Sequence, residues 1–62
     1  MTLEITSKSI NLYQLDWMGS IGDFVKWLEK TDSEYIKVID AENRMSALKI
    51  SEIESISIIE EE

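Results

Sequence analysis

The spacing of hydrophobic residues changes several times along this chain, and each change marks an element. In LEITSKSINLY, Leu3 and Ile5 share one parity while Ile10 and Leu12 share the other. Side chains alternate between the two faces of a strand, so the two apolar pairs cannot line one face of a regular strand. A bulge or tight turn near Ser7-Lys8-Ser9 is expected to reset the phase, leaving two short strands or one bent strand.

After MGSIG, which holds both glycines of the chain, the period becomes helical. Ile21, Phe24, Val25 and Leu28 fall at i, i+3, i+4 and i+7, one narrow stripe at 100° per residue. Ser20 with Asp23 three residues on has capping-box spacing, and an acid in the first turn suits the helix dipole. Trp27 lies at the edge of the stripe, where part of its ring meets solvent or a neighbour. The helix is predicted to stop near Lys30, because Thr31, Asp32 and Ser33 favour local side-chain to backbone hydrogen bonds.

From Glu34 the period is two. Asp40-Ala41-Glu42-Asn43-Arg44 has the chemistry of a three-residue hairpin loop, a type I turn followed by Asn43 in the left-handed conformation. That turn fixes the register: Asp40 closes against Arg44, Ile39 faces Met45, Ile36 faces Leu48 and Tyr35 faces Lys49. One face of the hairpin then collects Ile36, Val38, Leu48 and Ile50. The other collects Tyr35, Lys37, Ile39, Met45, Ala47 and Lys49.

ISEIESISII fits neither period. On a helical wheel Ile50, Ile53, Ile56, Ile58 and Ile59 point in nearly every direction, and a single strand would place Glu52 and Glu54 on the face of Ile56. Three pieces resolve the conflict. Ile50 ends the hairpin strand, Ser51 to Glu54 makes one turn with capping-box spacing and Ile53 turned inward, and Ser55 to Glu60 forms a last strand. Ile56 and Ile58 face inward, and Ile59 is left on the outer face with Ile39 and Met45.

The expected fold class is therefore α+β: a small antiparallel sheet of four to five strands packed against one short amphipathic helix. Residues 1–59 form the single domain, and residues 60–62 an acidic tail. One helix covers only one face of a sheet. The second hairpin face is shielded by its own lysine stems, covered by the tail, or used as an interface.

Composition narrows the chemistry. The chain has 62 residues, and a domain this small buries only about 60% of the surface its unfolded chain exposes. It has no cysteine or histidine, which rules out disulfides, thiolate zinc sites and imidazole bases; dense packing and self-association remain as supports. MTLEITSKSINLYQ lacks the basic start and continuous apolar core of a signal peptide, and no run approaches the roughly 20 apolar residues of a membrane span. The expected location is cytoplasmic, with no membrane partner.

A net charge of −7 is unevenly spread, since Glu52, Glu54, Glu60, Glu61 and Glu62 follow Ile50 with no base among them. Such a field repels nucleic acid and favours a protein partner of basic character. A serine nucleophile would need a lysine or an N-terminal amine as its base, and Ser7-Lys8-Ser9 is expected to be a turn rather than a buried site; a carboxylate pair needs a cleft that this size hardly allows. Neither Asp40-Ala41-Glu42-Asn43 nor the terminal glutamates make a calcium loop, so no metal or cofactor is expected. The GxxG spacing of Gly19 to Gly22 is flanked by Asp16 and Asp23, which argues against a phosphate cradle. Gly19 is expected to allow a sharp turn into the helix and Gly22 to give close packing at its start.

No catalytic constellation survives, and the expected activity is that of a non-catalytic protein-binding module, an acidic regulatory or inhibitory protein that self-associates. Compact acidic chains of this kind are common among bacterial and phage accessory proteins, an analogy of size and charge. The candidate interface residues are Trp17, Trp27, Tyr35, Ile39, Met45 and Ile59. Trp and Tyr enter as residue types that dominate binding hot spots. The alternatives are an acidic mimic of nucleic acid that occupies a basic groove, and a structural subunit of a larger assembly.

Overall fold

The helix begins as its sequence predicts. In a computed structural model, which describes residues 1–59, the Asp23 N–H donates to Ser20 Oγ at 3.1 Å and the Ser20 N–H donates to Asp23 Oδ2 at 3.3 Å, closing the capping box. The helix α1 (Ile21–Lys30) runs from this cap to Thr31, whose extended backbone ends it. Ser33 N–H then donates to Thr31 Oγ1 at 3.2 Å, the local bond that replaces a helical one. Phe24 is the fully buried centre of the inward stripe, with Val25 and Trp27 at its two exposed margins.

Five strands complete an α+β fold: β1 (Thr2–Ser7), β2 (Leu12–Asp16), β3 (Tyr35–Asp40), β4 (Met45–Lys49) and β5 (Ile53–Ile59). They form one sheet in the order β4-β3-β2-β1-β5, and every neighbouring pair is antiparallel. The β3–β4 hairpin has the predicted register, with Ile39 opposite Met45, Ile36 opposite Leu48 and Tyr35 opposite Lys49. Asn43 takes a φ of 62°, and Asp40 N–H donates to the Arg44 carbonyl at 2.9 Å.

β1 and β2 are two strands, but the parity argument for them is corrected. Leu3 pairs with Leu15 and Ile5 with Tyr13, so one inward parity runs through both strands. Ile10 lies in the turn, 83% exposed, and Leu12 faces outward. The turn is held by Ser7, which is buried yet satisfied: its hydroxyl bonds Ser9 Oγ at 2.9 Å and accepts from the Asn11 N–H at 3.1 Å.

The last segment is also corrected in part. A single 3₁₀ turn spans Ile50–Glu52 and carries no side-chain cap, so the Ser51–Glu54 capping box is not formed. Strand β5 already begins at Ile53, where a register irregularity against Thr6 and Ser7 absorbs the shift in phase. Ile53 and Ile56 pack on the core, as the sequence predicts; Ile58 does not, although its pairing with Leu3 sets it on the core side. The expected tail at residues 60–62 lies outside the described residues.

The connection from β4 to β5 dictates the shape of the sheet. These are the two edge strands, four spacings apart, which in a flat sheet is about 19 Å. The chain from Lys49 to Ile53 reaches no more than about 14 Å. A flat sheet is therefore excluded, and the sheet curls strongly. The ladder is shortest between β2 and β3, which pair only at Tyr13–Asp40 and Gln14–Ile39. The hairpin departs from β2 below that corner, and two main-chain bonds tie the 3₁₀ turn in place, Ile50 N–H to the Glu34 carbonyl and Lys8 N–H to the Glu52 carbonyl, each 2.8 Å. The concave side holds Leu3, Ile5, Phe24, Ile36, Val38 and Leu48, a core supplied by the helix and three strands.

Candidate functional site

The six residues selected from sequence separate into three places. Trp17 and Trp27 belong to the helix side, where they pack around Phe24. Trp17 meets the Phe24 ring edge-on with centroids 4.9 Å apart, Trp27 stacks on Phe24 at 6.1 Å, and the two indoles lie 5.9 Å apart, so the three rings form one triangle. Trp17 is half-buried and its Nε1 is fully enclosed without a hydrogen-bond partner among the described residues. The cluster uses aromatic area to extend a small core, and Trp27 presents its remaining edge to solvent.

Tyr35, Ile39 and Met45 share the convex face of the hairpin. The alternation of the strands sends Ile36, Val38 and Leu48 inward and leaves these three outward. Met45 is 76% exposed and Tyr35 54%, while Ile39 is half-buried between them and the corner with β2. Lys37 and Lys49 lie on the same face, opposite Ala47 and Tyr35 respectively.

Ile59 is on the outer side of the sheet, opposite Thr2. It stands on the edge strand β5, at the other end of the strand order from the strand of Met45. Ile59 shares a sheet side with Ile39 and Met45 but stands on the opposite edge strand.

Leu12 is the residue that the sequence argument missed. It is 49% exposed on the outer face of β2 and lines, with Ile39, a shallow open concavity of about 300 Å³ that also includes Glu4, Gln14, Asp40, Ala41 and Asn43. The alternation of Tyr13 and Leu15 carried the signal, because it places Leu12 outward once those two face the core. A second shallow depression lies where β2 and β3 separate, walled by Gln14, Asp16, Lys37, Ile39 and Met45. The outer face therefore offers side chains of Leu12, Ile39 and Met45 around shallow depressions too open to hold a small molecule in a dry site.

The electrostatics near this face centre on the hairpin loop. Asp40 Oδ1 accepts the Arg44 N–H at 3.0 Å and the Glu42 N–H at 2.9 Å. The Arg44 side chain lies 3.5 Å from Asp40 Oδ2 and 3.2 Å from Glu42 Oε2. These bonds, that from the Arg44 amide first, hold the Asp40 carboxyl below its ordinary range against a smaller opposing effect of partial desolvation. The loop thus pairs two carboxylates with one guanidinium and keeps a net negative charge, with Arg44 engaged by both acids.

Among the described residues no group of three or more histidine, cysteine, aspartate or glutamate side chains comes together in a way that could hold a metal ion. No helix among them is long and apolar enough to cross a membrane. The chain matches no protein-family model, no curated protein and no solved structure.

Proposed function

We propose that this chain is a non-catalytic protein-binding module of regulatory or inhibitory kind, and that it self-associates through the convex face of its β3–β4 hairpin. One observation carries the reading: Met45 stands more than half exposed opposite Ile39, and Tyr35 more than half exposed at the other end of the same hairpin face, outside the inward side that holds Ile36, Val38 and Leu48. A contiguous apolar patch on a small monomer is a natural contact surface. Lys37 and Lys49 lie on the same face, where their stems lengthen the apolar contact and their charged ends stay at its rim. Sedimentation velocity at high micromolar concentration tests the reading, with Ile39→Asp and Met45→Asp as interface variants. A concentration-dependent dimer lost in folded variants supports it; a strictly monomeric protein whose partner binding and stability ignore both substitutions removes it.

A further inference from the structure

We propose that the free edge of β5 is a β-strand addition site for an extended peptide segment with alternating aliphatic residues and lysines or arginines at its flanks. The inference stands apart from the hairpin face and does not rest on it. Its first support is the edge itself. Strand β5 is a seven-residue strand paired on one side only, with β1, and the curled sheet leaves β4 and β5 unpaired with each other among the described residues. Every second backbone N–H and C=O along that edge faces outward with no strand to receive it.

The second support is Ile58. Its register with Leu3 sets it on the core side of the sheet, and Leu3 is fully buried, yet Ile58 is 45% exposed. An inward-facing isoleucine exposed at the open seam is what a sheet shows where a neighbouring strand is missing. A strand laid beside β5 places one of its own aliphatic side chains against Ile58 and Ile56 and continues the concave side. From Ser55 to Ile59 the edge carries few of the devices by which sheets exclude strangers: it has no charge and no proline, and both Glu54 and the irregularity against β1 lie nearer the start of the strand.

Charge decides which strand fits. Glu52 and Glu54 stand at one end of β5 and Glu60, Glu61 and Glu62 follow it in the sequence, with no base from Ile50 onward. Antiparallel self-pairing centred on Ser57 would set Ile56 against the Ile58 of a second copy, but it would also bring together two segments whose charges from Ile50 onward are all acidic. Like charges directly opposite are destabilising in a sheet, whereas basic flanks on the incoming strand relieve the same field. The favoured occupant is therefore a basic-flanked strand from another protein.

The test uses the full chain and a synthetic peptide, KKVTVTVKK, with two controls: the same peptide N-methylated at its five central nitrogens, and EEVTVTVEE. Titration followed by two-dimensional amide NMR is expected to shift resonances of Ile53 to Ile59 and slow their hydrogen exchange. The N-methylated peptide should bind about tenfold more weakly or worse, since it keeps the charge and loses the ladder. The acidic peptide should not bind. Met45→Asp should bind KKVTVTVKK as the unaltered chain does, so failure of the hairpin-face reading leaves this result intact. Equal binding of the N-methylated peptide would reduce the effect to charge adsorption and overturn the proposal. Shifts confined to β3 and β4 would overturn it too, as would β5 amides protected by self-association before peptide is added.

Discussion

Gly19 lies against the indole of Trp17, and a methyl group in its place would stand 3.1 Å from Trp17 Nε1 and 2.9 Å from Asp23 Oδ2. Neither glycine of the chain has a positive φ, so the requirement at position 19 is space and not a left-handed backbone. Gly22 is the opposite case. A Cβ there would meet only Ser20 Oγ, at an ordinary 3.7 Å. The sharp entry expected at Gly19 is present, since the chain bends at residues 18 and 19 before the helix, but the close packing expected at Gly22 is corrected: it belongs to Gly19.

The two glycines should respond oppositely to alanine. Gly19→Ala drives Asp23 away from the capping box or the indole away from Phe24, and should cost about 1–2 kcal/mol, the range seen for loss of a helix cap. Gly22→Ala, at an exposed position inside the first helical turn, should stabilise by about 0.5–1 kcal/mol through reduced backbone entropy in the unfolded chain. Urea denaturation followed by tryptophan fluorescence measures both. Two losses of equal size would mean that Gly22 has a contact the packing does not contain.

Ile10 is a β-branched residue at a φ of 65° with its side chain 83% exposed. The left-handed region costs an ordinary L-residue roughly 1–2 kcal/mol, and asparagine tolerates it best after glycine. Ile10→Asn gives up almost no buried area, so the fold should gain about 1 kcal/mol. Thermal unfolding reports the sign. A lower midpoint for the asparagine variant would show that the isoleucine side chain contributes a folded-state contact.

Asp40 ties the hairpin to pH. Its folded-state pKa is depressed, chiefly by the Arg44 amide that its carboxylate accepts. A depressed carboxyl contributes stability that is present above the unfolded value, about 3.9 for aspartate, and lost as pH falls through the lower folded value. Carboxyl carbon NMR should place the Asp40 midpoint below that of an aspartate in an unstructured peptide. Asp40→Asn keeps an acceptor for the two amides and removes the titration, so its unfolding midpoint should fall less than that of the unaltered chain as acid is added below about pH 4. An Asp40 midpoint at or above the ordinary value would contradict the bonded loop.

The two sides of the hairpin can be told apart by one pair of substitutions. Val38 is 2% exposed, and Val38→Asp buries an unpaired charge, which in a domain whose core supplies only about 3–5 kcal/mol should abolish folding. Met45→Asp, on the opposite side, should change stability by about 0.5 kcal/mol or less. Circular dichroism distinguishes an unfolded chain from a folded one in each case.

What the sequence determined by itself is the local structure: the Ser20–Asp23 capping box, the helix end at Thr31, the left-handed Asn43 and the pairing of Ile39 with Met45. Each depends on groups within a few residues of one another, so side-chain chemistry and turn geometry suffice to specify it. The α+β class followed from the change of period. Residue spacing went wrong where a long-range partner decided the outcome. Tyr13 and Leu15 face inward because β2 pairs with β1 through Ile5 and Leu3, and parity counted from Ile10 could not reveal that pairing. Only the tertiary structure placed Ile59 on the far edge from Met45, left Ile58 exposed at an open seam, and pressed Gly19 against Trp17. These outcomes depend on strand order and on the curl imposed by a connection of one 3₁₀ turn, and the free energy of such contacts resides in residues far apart along the chain.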